Sequence, residues 1–215
     1  MVFAGTQYNP SLTPNLVILG MNYLAHAFLS FNQGELLTGN MISDFVKGKA
    51  KFDYPAGIQA GIQLHRQIDE FTDTHPVTAA AKQYFRPQYR LYAGAFVDVV
   101  YDHFLATDGR LFEAFGDLAA FSQHTYSLLE INRSFFPPRF GKMFEYMHSQ
   151  DWLSNYQFRK GIQKSFSGLV YRAAYLTESD VAFEIFNARY SELQQCYRAF
   201  FPELYKFSAE RVANF

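Results

Sequence analysis

The chain has 215 residues, 49% of them apolar and only 18% charged, so it can bury enough surface to offset the entropy of ordering, and intrinsic disorder is excluded. A formal charge of −1 excludes a globally basic nucleic-acid binder and leaves recognition of a charged partner to local patches. The single cysteine, Cys196, excludes an internal disulfide, and no run reaches the roughly 18 consecutive apolar residues of a membrane span.

The first 20 residues carry two prolines and no sustained period, and no basic stretch precedes their apolar residues as a secretory signal requires; a cytoplasmic protein is expected. Residues 1–20 read as a poorly ordered N-terminal extension, a cloning remnant or the product of an upstream start codon, three readings the sequence leaves open, and Met21 as the structural start. From Met21 the apolar spacing is helical. Leu24, Ala27, Phe28 and Phe31 open it; Leu37, Met41 and Phe45 follow; Ile58, Ile62, Leu64, Ile68 and Phe71 line a third helix, and Val77, Ala80, Ala81 and Tyr84 a fourth.

Leu91, Tyr92, Ala95, Phe96 and Val99 predict a long helix to about Ala106, stopped at Thr107, Asp108 and Gly109. Leu111 to Ile131 reads as one or two helices, the two prolines of FPPRF at 136–140 break the chain, and helical spacing restarts at Arg139. After Ser179 and Asp180, Phe183, Phe186, Tyr190, Leu193, Tyr197 and Phe200 predict one long C-terminal helix, ended or kinked at Pro202. With 24 Phe and 15 Tyr, bulky rings should wedge these helices together. The expected fold is all-α, a single-domain helical bundle over residues 21–215.

Ionisable residues on apolar faces are the informative exceptions, because a buried charge needs a partner or a metal. His65 and Asp69 lie one helical turn apart on the face of Ile58 and Ile62. Asp98 and Asp102 repeat that spacing on the Leu91–Ala95 face, and Asp44 follows Leu37 and Met41. Asp44, His65, Asp69, Asp98 and Asp102 are therefore the predicted ligands of a divalent cation, with His26 a further candidate outside that set. Carboxylates and imidazoles without cysteine suit Mn²⁺ or Mg²⁺ rather than thiolate-bound zinc. In TDTHP, Asp73 or Thr74 is expected to cap a helix that starts at Pro76, and His124 and His148 to face solvent.

MNYLAHAFLS at 21–30, GNMISDF at 39–45, HRQIDEFTDTHP at 65–76, DVVYDHFLA at 98–106, PPRF and the later DWL at 151–153 together resemble the acyl carrier protein phosphodiesterase family over nearly the whole chain after Met21. That family is similar to the HD-type phosphohydrolases, all-α and dependent on a divalent metal, usually manganese, although Asp102 and His103 stand here in the reverse of the HD order. The resemblance implies hydrolysis of the phosphodiester that joins the 4′-phosphopantetheine arm to a serine of holo acyl carrier protein, and thus a role in fatty acid and lipid metabolism. A metal that generates hydroxide and neutralises the phosphate suits this reaction.

An acidic carrier needs a basic landing area, and Lys47, Lys49 and Lys51 of KGKAK, with Arg66, offer one unless they form only a solvated loop. Arg172 matches an arginine of the family and is expected to clamp phosphate. Asp44 counts among the catalytic residues as well as the ligands. His103 points about 100° around its helix from Asp102 and is either an acid or base beside the metal or a core histidine bonded to a carbonyl. Two rivals remain: an HD-like hydrolase of a small phosphoester or nucleotide, for which there is no Walker loop or G-x-G-x-x-G, and a non-catalytic carrier-binding helical module, which gains nothing from inward charges.

Overall fold

The apolar stripes become helices in the computed structural model, which describes residues 22–215, and no strand occurs among the described residues. The readings of residues 1–20 as an extension and of Met21 as the start lie outside those residues. In chain order the helices are α1 (Tyr23–Phe28), α2 (Gly34–Ile42), α3 (Ala56–Thr74), α4 (Pro76–Tyr89), α5 (Ala93–Thr107), α6 (Leu118–Ile131), α7 (Pro138–Ser149), α8 (Trp152–Asn155), α9 (Arg159–Arg172), α10 (Asp180–Ala188) and α11 (Tyr190–Val212). No helix among the described residues is long and apolar enough to cross a membrane.

Helix α5 is the axis of the bundle. It packs against α1, α4, α9 and α11, and from Phe96 to Ala106 every side chain but Asp98 is buried. Aromatic rings fill the spaces between helices, as in the Phe85–Phe96 stack, the Phe71–Phe207 stack and the Tyr101–Phe200 stack at centroid distances of 5.7, 4.6 and 5.1 Å. Helices α2 and α3 meet differently, backbone against backbone. A Cβ at Gly39 would stand 2.0 Å from the Ile58 carbonyl, and one at Gly61 would stand 2.1 Å from the Leu36 carbonyl. Only glycine permits this approach, and it lays the middle of α2 onto the first turns of α3.

Four expectations change. Leu91 is 99% exposed on a short 3₁₀ turn (Arg90–Tyr92), because Arg90 adopts φ +48° and ends α4 before α5 begins. The predicted C-terminal helix is two helices, since α10 closes where the Arg189 amide donates to the Ile185 carbonyl and α11 starts at Tyr190; a three-four apolar period reads the same through a one-residue break. Pro202 lies within α11 and does not end it. The cap of α4 is His75, whose Nδ1 accepts the Val77 amide at 3.3 Å, while Asp73 pairs with Lys82 at 2.7 Å. Pro76 occupies the first turn, as expected. His148 is exposed, and His124, half-buried, bonds the side chain of Asn32.

Candidate metal centre

The close crossing of α2 and α3 sets the site. It places Asp44, in a 3₁₀ turn (Ser43–Phe45) directly after α2, beside His65 and Asp69 on α3, and α1 lays His26 over them. His65 Nε2 stands 3.1 Å from Asp69 Oδ2 and 3.5 Å from Asp44 Oδ1; His26 Nε2 stands 3.3 Å from Asp69 Oδ1. The two imidazoles stack with centroids 4.1 Å apart. Nitrogen and oxygen atoms of His26, His65 and Asp69 all lie within 4.8 Å of one another, close enough to hold one ion.

The tautomer of His26 is fixed by its neighbours. Asn40 spends its amide hydrogens on the His26 carbonyl (2.9 Å) and the Ser30 hydroxyl (3.0 Å), so its Oδ1, 2.7 Å from His26 Nδ1, accepts a hydrogen bond from Nδ1–H. The Nε2 lone pair is thereby turned toward Asp69. His26 Nε2 and both ring nitrogens of His65 are buried without a hydrogen-bond partner, although carboxylate oxygens lie close by. Buried nitrogens left this way are costly unless something accepts their lone pairs, and a divalent cation does so. The donor set of two imidazoles and a carboxylate oxygen therefore fits a divalent cation.

Without a cation the charges lean on one another. Burial disfavours the His65 imidazolium, but Asp69 and then Asp44 outweigh it and lift His65 to about 10. Burial and the neighbouring His65 charge hold His26 below its ordinary value. Burial opposes the Asp69 carboxylate as well, yet the charge of His65 holds it well below the usual carboxylate range. Beside these groups opens a cavity of about 230 Å³ whose wall includes Asp44, Asp69, Asp73 and Asp98. Burial, followed by repulsion from Asp69 and Asp73, pushes Asp98 well above the ordinary carboxylate value.

Of the five predicted ligands, Asp44, His65 and Asp69 come together, and Asp98 faces the same cavity. Asp102 does not join them. Its two oxygens accept the backbone amides of Leu24 (3.0 Å) and Ala25 (2.9 Å), so it caps α1 and positions His26 from behind. His103 is the core histidine rather than the acid or base: its Nδ1 donates to the Tyr156 carbonyl at 2.8 Å, its Nε2 accepts the Tyr190 hydroxyl at 3.0 Å, and Phe104, Phe186 and Tyr190 surround the ring edge-on. Burial lowers its pKa, consistent with a neutral ring bonded at both nitrogens. His26, outside the predicted set, supplies the missing imidazole; the available signal was a histidine on the α1 stripe together with a buried Asn40 on α2.

Lys47 and Lys49 are exposed and Lys51 half-buried against the Phe52 ring, all on a 3₁₀ segment (Gly48–Asp53) or its entry, three to seven residues from Asp44. Arg66 donates to the Val46 carbonyl at 3.1 Å and ties that segment to α3 next to His65. Arg172 lies away from the lysines, at the end of α9 in a second cavity.

The family model described as acyl carrier protein phosphodiesterase matches residues 21–204. The chain belongs to that family. It is 32% identical over 184 residues to the acyl carrier protein phosphodiesterase of Enterobacter sp. (strain 638), covering 86% of this chain and 95% of the relative. It is 31% identical over 194 residues to that of Photorhabdus laumondii (90% and 96%) and 33% identical over 184 residues to that of Yersinia pestis (86% and 95%). No solved structure matches. The match to the acyl carrier protein phosphodiesterase family spans His26, the acidic cavity and Arg172 alike.

Proposed function

We propose that this chain is a divalent-metal phosphodiesterase that hydrolyses the 4′-phosphopantetheine arm from holo acyl carrier protein, as its relatives' name implies for them. The carrying observation is the buried His26–His65–Asp69 cluster with unsatisfied ring nitrogens, in a chain of this family. His26, His65 and Asp69 would hold the ion, with Asp44 beside His65, and Mn²⁺ is the first choice. When bound, the ion supplies a hydroxide near neutral pH and neutralises the phosphate.

The chain's own residues do the rest. Asn40 keeps His26 Nε2 free of a proton, and Asp102 holds α1 so that this nitrogen meets Asp69. Asp98 lies on the cavity wall, where burial and then the charges of Asp69 and Asp73 raise its pKa. Lys47 and Lys49, exposed, with the half-buried Lys51 form the landing area for the acidic carrier, and the enzyme works in the cytoplasm, within fatty acid metabolism. Residues 21–215 act as one HD-like phosphodiesterase domain preceded by the extension.

The test is direct. Purified protein, holo carrier and Mn²⁺ are incubated with and without chelator and the carrier is weighed by mass spectrometry. Loss of the arm's mass only when metal is present supports this function; an unchanged carrier under both conditions rejects it.

A further inference from the structure

Next to the acidic cavity opens another, about 420 Å³, and the two share Asp73, Leu91 and Gly94 on their walls. The rest of its wall is basic, with Lys82, Arg86 and Arg90. Lys82 is committed to Asp73, whereas Arg86 and Arg90 are exposed and enter no salt bridge among the described residues. Leu91 lines both cavities and is 99% exposed. The backbone holds it there: Arg90 takes φ +48° and ψ −116°, a conformation that suits glycine, and this stops α4 and turns the next residue away from the core. Such strain collects at sites that bind or react. A leucine so exposed contributes almost no packing, so the fold of the free protein does not explain it.

We propose that Arg86, Arg90 and Leu91 form the rim on which the acidic carrier docks, its carboxylates pairing with the two guanidinium groups and a small apolar patch covering Leu91. The choice of partner rests on the function proposed above. One serine side chain separates the scissile phosphate from the carrier's surface. A phosphate at the His26–His65–Asp69 cluster therefore brings that surface onto the rim of the acidic cavity, which Asp69 and Leu91 both line. The four carboxylates of that cavity repel an acidic partner, and unpaired cations beside it offset the repulsion. Guanidinium groups suit carboxylates because two N–H donors meet two oxygens. These arginines lie on α4 and the turn after it, separate in the chain from the lysines that follow Asp44.

Chelator-treated protein is titrated with holo carrier in a calorimeter, so that binding is read apart from chemistry, and cleavage of the same carrier with Mn²⁺ is measured beside it. We expect affinity about tenfold weaker when Arg86→Gln and Arg90→Gln are combined, and about tenfold weaker for Leu91→Ser, with kcat/KM for the carrier falling in proportion. All three side chains are exposed, so these variants should fold. Raising salt should erase the arginine difference and leave that of Leu91. Arg90→Gly should weaken binding yet raise the melting temperature, because glycine takes this backbone without strain.

Unchanged affinity in the arginine and Leu91 variants overturns the inference, as does a wild-type chain that binds no carrier. A dimer in sedimentation that Leu91→Ser dissociates would give this face to a second copy of the chain and overturn it as well. If the carrier is cleaved with Mn²⁺ but these variants bind and cleave it as the wild type does, the docking rim fails and the function stands. If the carrier binds through these residues but no metal-loaded protein cleaves it, the function fails and the docking rim stands.

Discussion

Two cavities of opposite sign lie in one nearly neutral chain. The smaller, about 230 Å³, has four carboxylates on its wall and His26 and His65 at its edge; the larger, about 490 Å³, has two cations and no acid. A formal charge of −1 averages them away. The difference teaches that net charge hides local field: one wall is acidic and the other basic, and Asp102 and Tyr156 join the two through α1.

The strongest way to break this pairing is to empty one side alone. His65→Ala or Asp69→Ala should abolish metal retention and lower carrier cleavage at least about 10³-fold, since removing a ligand removes the charge that holds the ion. Metal content by plasma emission, followed beside carrier cleavage, checks both halves; a variant that keeps its metal would move the ion elsewhere.

Asp102 should behave differently because it serves both cavities. Asp102→Ala leaves the Leu24 and Ala25 amides unpaired in the core and should cost about 2–4 kcal/mol, while weakening metal retention. His103→Ala should cost roughly 2 kcal/mol through lost packing and hydrogen bonds, yet retain metal and turnover per folded molecule. Thermal unfolding combined with activity normalised to folded protein separates them. An inactive, stably folded His103→Ala protein would return this residue to the chemistry.

Proton and metal compete only on the acidic side. With His65 lifted to about 10, its neutral form becomes scarcer as pH falls, so metal affinity should rise about tenfold per pH unit between pH 7 and 9. Stability of the metal-free protein should run the other way. A raised imidazole pKa stabilises the fold fully below about 6.5, and that contribution is lost as pH climbs through about 10. Calorimetric titration with Mn²⁺ at several pH values measures the slope, and a flat profile would remove His65 from the ligand set.

The smallest effect should belong to the surface. Reversing Lys47, Lys49 and Lys51 together should slow carrier cleavage about three- to tenfold through association, fade at high salt, and leave hydrolysis of a small diester unchanged. Equal losses on both substrates would make the segment structural.

The sequence by itself determined the helices, because a three-four apolar period can bury only one face of a helix. It also determined much of the acidic cavity, because His65 with Asp69, Asp44 and Asp98 are conspicuous as charges on faces otherwise apolar. The same rule offered Asp102, and there it could not discriminate. A buried carboxylate is satisfied equally by a cation or by two backbone amides, and only the packing of α1 against α5 decides which. His103 carried two readings for the same reason, settled by the Tyr156 carbonyl and the Tyr190 hydroxyl, 53 and 87 residues away along the chain. His26, held by Asn40 of α2, needed the glycine-to-glycine contact of α2 and α3 to stack on His65. Periodicity reports which face a residue takes; which atoms meet it there depends on contacts distant in the chain, and those belong to the tertiary structure.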